Sequence, residues 1–182
     1  MQILLILTAV LAAVSAAPEL YDGCGTDKGC FGIPENCVDD GNCEVFASYT
    51  ANDDGTYAFE LFADGEDAAA GWIGVGFSND PIMGSDGAQL CTAADGVRTF
   101  NLIGYPKGAK LREGDPSEGI SNVGVSEDGA DTLYCSFDRV AAIDQTDLSG
   151  EYHLQLARGP LKDDGNPGRH AVRAVTEEKV GF

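Results

Sequence analysis

Trp72-Ile73-Gly74-Val75-Gly76-Phe77-Ser78 sets Ile73, Val75 and Phe77 on one parity and Trp72, Gly74 and Gly76 on the other. A period of two in β-branched and aromatic residues is the pattern of a strand with one face turned to a core. The pattern recurs on both sides of this stretch. Tyr57, Phe59 and Leu61 alternate before it; Leu133, Cys135 and Phe137, then Tyr152, Leu154 and Leu156, alternate after it. Strands are expected over 44–50, 57–63, 72–77, 88–92, 97–103, 122–126, 132–140, 151–157 and 171–175. Asp54-Gly55, Asp95-Gly96 and Asp128-Gly129 supply the turns between neighbours. Segment 138–148 is expected to form a short helical turn. No long amphipathic helix and no repeat emerges. The fold class is all-β, an immunoglobulin-like β-sandwich.

The chain opens with an uncharged apolar run, and Val14-Ser15-Ala16 offers a small-residue cleavage site. Residues 1–16 read as a secretory signal peptide, although a basic n-region is lacking. The run is shorter than the ~20 residues of a spanning helix. Residues 17–182 then form a single domain, secreted and extracellular, with no membrane insertion. Cys24, Cys30, Cys37, Cys43, Cys91 and Cys135 all fall in it. An even count in an oxidising compartment points to disulfides rather than zinc, and no Cys-x-x-Cys pair occurs. Two local bridges are expected in the Gly- and Cys-rich segment 21–43, and a third between Cys91 and Cys135. The sandwich thus carries an N-terminal disulfide-stapled segment.

Thirty acidic against 11 basic residues give a net charge of −19. Such a surface repels nucleic acid and anionic membranes, which removes both as partners. The Asp-Gly clusters offer oxygen ligands, but none has EF-hand spacing, and turn chemistry accounts for them.

Few residues remain to carry chemistry. Beyond the initiator, Met83 is the only methionine, in an irregular loop bounded by Pro81 and Gly84. His170 follows a Gly/Pro/Asp-rich loop at the end of a strand, a common location for sites. His153, within a strand, shares its face with Glu151 and Gln155 and reads as structural. No nucleophile elbow, His-Glu-x-x-His, P-loop or dinucleotide fingerprint occurs. Hydrolase chemistry therefore has no support.

Four stretches in order resemble the DOMON domain family. They are Trp72 to Ser78 with Met83-Gly84; Tyr134-Cys135-Ser136-Phe137-Asp138-Arg139; Leu154-Gln155-Leu156-Ala157-Arg158-Gly159 leading to Arg169-His170; and the cysteine-rich start from Cys24 to Cys43. The last is similar to DOMON regions of ferric-chelate-reductase-like proteins. The resemblance implies a β-sandwich and, as in the cytochrome members, a haem b with methionine and histidine axial ligands. The matching positions are Met83 and His170. Cys-x-x-Cys-His is absent, so the haem would be non-covalent. Trp72, Phe77 and Ile82 are candidates for its apolar walls; Arg158, Lys162 and Arg169 are candidates for pairing with its propionates. With both axial positions filled, outer-sphere electron transfer is favoured over oxygen chemistry. The expectation is an extracellular electron-transfer module rather than a complete enzyme. It lacks the membrane cytochrome segment of many relatives and needs a separate redox partner protein, whose identity is open. The family also contains sugar-binding members, so a non-haem module recognising carbohydrate or protein is the alternative.

Overall fold

The computed structural model describes residues 20–104 and 107–182; the expected signal peptide lies outside the described residues. The strands, in chain order, are β1 (Gly29–Ile33), β2 (Val45–Ala51), β3 (Thr56–Asp64), β4 (Gly71–Ser78), β5 (Asp86–Thr92), β6 (Gly96–Gly104), β7 (Gly108–Leu111), β8 (Ile120–Ser126), β9 (Thr132–Val140), β10 (Ala142–Ile143), β11 (Thr146–Asp147), β12 (His153–Pro160) and β13 (Val172–Val175). One sheet runs β1-β2-β3-β9-β8 and the other β13-β12-β4-β5-β6-β7, with every pairing antiparallel. Their inner faces pack as the expected sandwich. The acidic-Gly turns join β2 to β3, β5 to β6 and β8 to β9, with Gly55, Gly96 and Gly129 at positive φ.

The core lies between the sheets. Val45, Ala47, Phe59, Leu61, Ile73, Val75, Phe77, Leu133, Phe137, Leu154 and Leu156 are all buried there. Phe59 stacks on Phe137 and meets Phe77 edge-on, while Phe182 packs against Tyr49, Tyr57, Phe59 and Phe77. The Cys91–Cys135 disulfide ties β5 to β9 across this core. The local bridges are Cys24–Cys30 and Cys37–Cys43.

Two regions differ from the sequence reading. Segment 21–43 is more than a stapled loop: β1 pairs along β2, and a short helix, α1 (Cys37–Asp40), follows. The sequence Gly-Cys-Phe-Gly-Ile lacks the alternation that would have marked the strand. Segment 138–148 is not helical. β9 runs on to Val140, and β10 and β11 form a tight hairpin. Asp144 takes a left-handed φ of 51°, which interrupts any helix. The fully buried Arg139 holds the hairpin by donating to the carbonyls of Ala141 and Thr146. Its Nη1 reaches Gln89 Oε1 of β5 at 3.1 Å. Burial pulls its pKa down to about 10, still well above neutrality.

Candidate functional site

β4 is buried on both faces, so the six-stranded sheet has a second apolar side. Residues paired across an antiparallel sheet project to the same face. Gly76 faces Ala88 and Gln155, Ala88 faces Phe100, and Phe100 faces Leu111. In the next row Gly74 faces Leu90 and Ala157. Trp72, Ala88, Leu90, Phe100 and Leu102 form a buried cluster on this outer side, covered by Met83, Ala109, Leu111, Ala157 and Leu161. Two glycines form its floor. A Cβ on Gly74 would lie 2.7 Å from Leu90 Cγ, and one on Gly76 would lie 3.1 Å from Leu102 Cδ1.

Met83 is half-buried against this cluster. Its loop is shaped by side-chain acceptors. The Ile82 N–H donates to Asp80 Oδ1 at 2.7 Å, and the Gly84 N–H donates to Asp86 Oδ2 at 2.7 Å. Asp86 is buried, and that burial raises its carboxyl above the usual range despite the bonds from Gly84 and Ser78.

His170 approaches the same face from the β12–β13 loop. A Cβ on Gly159 would lie 2.9 Å from His170 Cα and 3.1 Å from Trp72 Nε1. Partial burial, then the charges of Arg173 and Arg169, lower the His170 pKa. This shift favours the neutral imidazole, the form that ligates metals. Trp72 is 7% exposed, and its Nε1 is the one buried side-chain polar atom without a hydrogen-bond partner among the described residues. Leaving such a donor unmet costs about 1–3 kcal/mol.

Of the other expected residues, Phe77 and Arg158 are not brought to this face. Phe77 points into the inter-sheet core with Phe59, Tyr152 and Phe182. Trp72 and Phe77 have opposite parity on one strand, so they cannot wall the same ligand. Arg158 also lies on the inner side, bound to Glu44 at 2.6 Å. Ile82 is 72% exposed. Lys162 and Arg169 are exposed on the loop leading to His170. His153 Nδ1 lies 2.9 Å from the Thr176 carbonyl, in keeping with a structural role.

Sequence reasoning did not single out Ala88, Leu90, Phe100 and Leu102. Their signal was present: β5 and β6 carry apolar residues on both parities, whereas an antiparallel strand with one solvated face alternates with polar ones. All six cysteines are in disulfides, so none offers a thiolate. Among the described residues no helix is long and apolar enough to cross a membrane.

The chain is 30% identical over 177 residues to the "Putative ferric-chelate reductase 1 homolog" of Drosophila melanogaster, covering 89% of this chain and 26% of that protein. It is 26% identical over 178 residues to the "Putative ferric-chelate reductase 1" of Danio rerio, covering 94% and 30% respectively. The "DOMON domain-containing protein FRRS1L" of Homo sapiens is 31% identical over 155 residues, covering 83% and 50%. The chain thus spans between about a quarter and a half of the length of these curated relatives. No family model matches the chain, and no solved structure matches it. These similarities, with a two-sheet sandwich stapled by three disulfides, suggest a domain of the DOMON type.

Proposed function

We propose that residues 17–182 form a secreted DOMON domain that holds one non-covalent haem b on the outer side of the six-stranded sheet. Met83 and His170 would hold its iron, and the module would transfer electrons to or from a separate protein. One observation carries this reading. Met83 packs against the same buried apolar face that the His170 backbone borders, beside a buried N–H that lacks an acceptor. The donor set fits the group. Thioether and imidazole ligation suits a low-spin haem, and the thioether favours the reduced iron. Trp72, Phe100 and Leu102 supply apolar surface for a porphyrin, while Gly74 and Gly76 permit close approach. When bound, haem supplies a one-electron couple. The chain's own residues would exclude water and orient the ring.

A second reading is a non-haem module that recognises carbohydrate or protein. One observation favours it: the Leu90 and Leu102 side chains lie over Gly74 and Gly76, so the face is filled by its own residues. Haem binding requires both leucines to turn off this strip.

A visible spectrum of the haem-supplied protein, oxidised and then reduced, separates the two. The cytochrome reading expects a sharp low-spin α-band on reduction, lost in Met83→Ala and in His170→Ala. An unchanged spectrum in either variant removes that residue as a ligand. A folded, disulfide-bonded protein that stays colourless leaves the non-haem module standing.

A further inference from the structure

Each sheet ends in two edge strands, whose outward backbone donors and acceptors are open to another chain unless something guards them. On the six-stranded sheet these are β7 and β13, both four residues long, and each carries a cation, Lys110 in β7 and Arg173 in β13. On the five-stranded sheet β1 has five residues, and the Cys24–Cys30 disulfide fastens it to the segment before it. β8 is the fourth edge, and it reads Ile-Ser-Asn-Val-Gly-Val-Ser. It is seven residues long, with no charge and no proline, in a chain of net charge −19. Short length, charged side chains and proline are the ordinary guards of a sheet edge, and β8 has none of them.

A bulge guards its first half. Asn122 takes a left-handed φ of 50°, and the register with β9 shifts between Ser121 and Gly124. Beyond the bulge the ladder is regular: Gly124 faces Ser136, Val125 faces Cys135 and Ser126 faces Tyr134. Among the described residues, the backbone of Ser121 to Ser126 bonds to no segment but β9. Val123 and Val125 are two of the five large apolar side chains left exposed among the described residues. The two ends of the strand differ in charge. Glu118, before it, is paired with Arg112 at 2.9 Å. Glu127, Asp128 and Asp131, after it, are exposed and have no basic partner among the described residues.

We propose that the Val123–Ser126 edge of β8 docks an extended segment of a separate protein, uncharged and β-branched where it pairs and basic where it passes Glu127 and Asp128. Backbone bonds along an added strand supply affinity, and the flanking charges supply the choice of partner. The acids decide against a second copy of this chain. A two-fold antiparallel pairing centred on Val123 sets Asp128 opposite Glu118, and like charges opposed across a ladder destabilise it. A basic segment meets the same acids with favourable charge. The site lies on the edge of the five-stranded sheet and needs no haem, so it stands apart from the porphyrin reading.

Two synthetic peptides test the site on the full protein: Lys-Lys-Val-Thr-Val-Thr-Lys and Glu-Glu-Val-Thr-Val-Thr-Glu, each titrated and followed by backbone amide NMR shifts. The basic peptide is expected to move the amides of Val123 to Ser126. It should bind at least about threefold more tightly than the acidic one at low salt, with the ratio shrinking in high salt. The double variant Glu127→Lys, Asp128→Lys is expected to invert that preference. Val123→Lys, which puts a guarding cation on the edge, should weaken the basic peptide severalfold. All three positions are exposed, and an unchanged amide spectrum elsewhere shows that the variants fold. Shifts confined to other residues, no binding by the basic peptide, or a low-salt ratio near one in the wild-type protein overturns the proposal. So does a preference unmoved by the double variant. Concentration-dependent shifts of the same amides without peptide mean that a second copy takes the edge, and they overturn the choice of partner.

Discussion

The outer sides of the two sheets solve the same problem in opposite ways. The five-stranded sheet is covered by the N-terminal stapled segment, whose Cys37 and Cys43 are buried in one cluster with Leu20 and with Phe46 of β2. The charged group on that side is fully engaged. Glu60 accepts from Lys28 Nζ at 2.9 Å, Ser48 Oγ at 2.7 Å and Tyr134 Oη at 2.8 Å. The six-stranded sheet is covered by loops, floored by glycines and left with an unmet indole N–H. Satisfied polar groups under a disulfide-stapled cover are the mark of a structural face. Apolar surface with an open donor, bordered by Met83 and the His170 backbone, is the face on which we propose that the ligand binds.

The largest test of this contrast lies on β4 itself. Phe77→Ala removes a ring from the inter-sheet core and should destabilise the fold by about 3–5 kcal/mol in urea unfolding. Trp72→Phe, five residues away, should leave stability near wild type while altering ligand binding. Comparable losses from both would erase the distinction between the faces. Next comes Gly74→Val. Its Cβ would meet Leu90 Cγ at 2.7 Å and the Gln89 carbonyl oxygen at 3.0 Å, and the backbone atom has little room to yield. A loss of about 1–3 kcal/mol is expected, together with loss of porphyrin binding.

On the other sheet, Glu60→Gln should lower stability at pH 7 by about 1–2 kcal/mol, because it removes a charged acceptor from a three-donor site. Burial raises the Glu60 pKa, but the bonds from Lys28, Ser48 and Tyr134 outweigh it, so the folded-state value lies below the ordinary one. The ionised form therefore stabilises the fold. That contribution is complete above the ordinary glutamate pKa of about 4.3 and is lost as pH falls through the lower folded-state value. Urea midpoints measured down the acid range should fall less steeply in Glu60→Gln, with porphyrin binding at pH 7 untouched. The smallest effect is expected from Ile82→Ser, within about 0.5 kcal/mol and with unchanged ligand affinity, since the side chain is 72% exposed. Lost affinity there would mean that Ile82 closes over the ligand.

Much of this architecture was legible in the chain. Alternation placed β3, β4 and β9 within a residue and β12 within three, because burial on one side imposes a period of two. Aspartate-glycine pairs located the tight turns, and the even cysteine count with its spacing anticipated the bridges. The elements that escaped, β1, β7 and the β10–β11 hairpin, are short and owe their pairing to neighbours rather than to a pattern of their own.

The sequence by itself determined that β4 has two distinct faces and that Met83 and His170 are scarce residues in loops. Only the tertiary structure decided which face each residue serves. Period two says that Trp72 and Phe77 part company, but when both parities are apolar it does not say which one meets the other sheet. That Arg158 projects to the inner side likewise depends on the register of β4 and β12, strands that lie far apart in the chain and are aligned only by their backbone ladder.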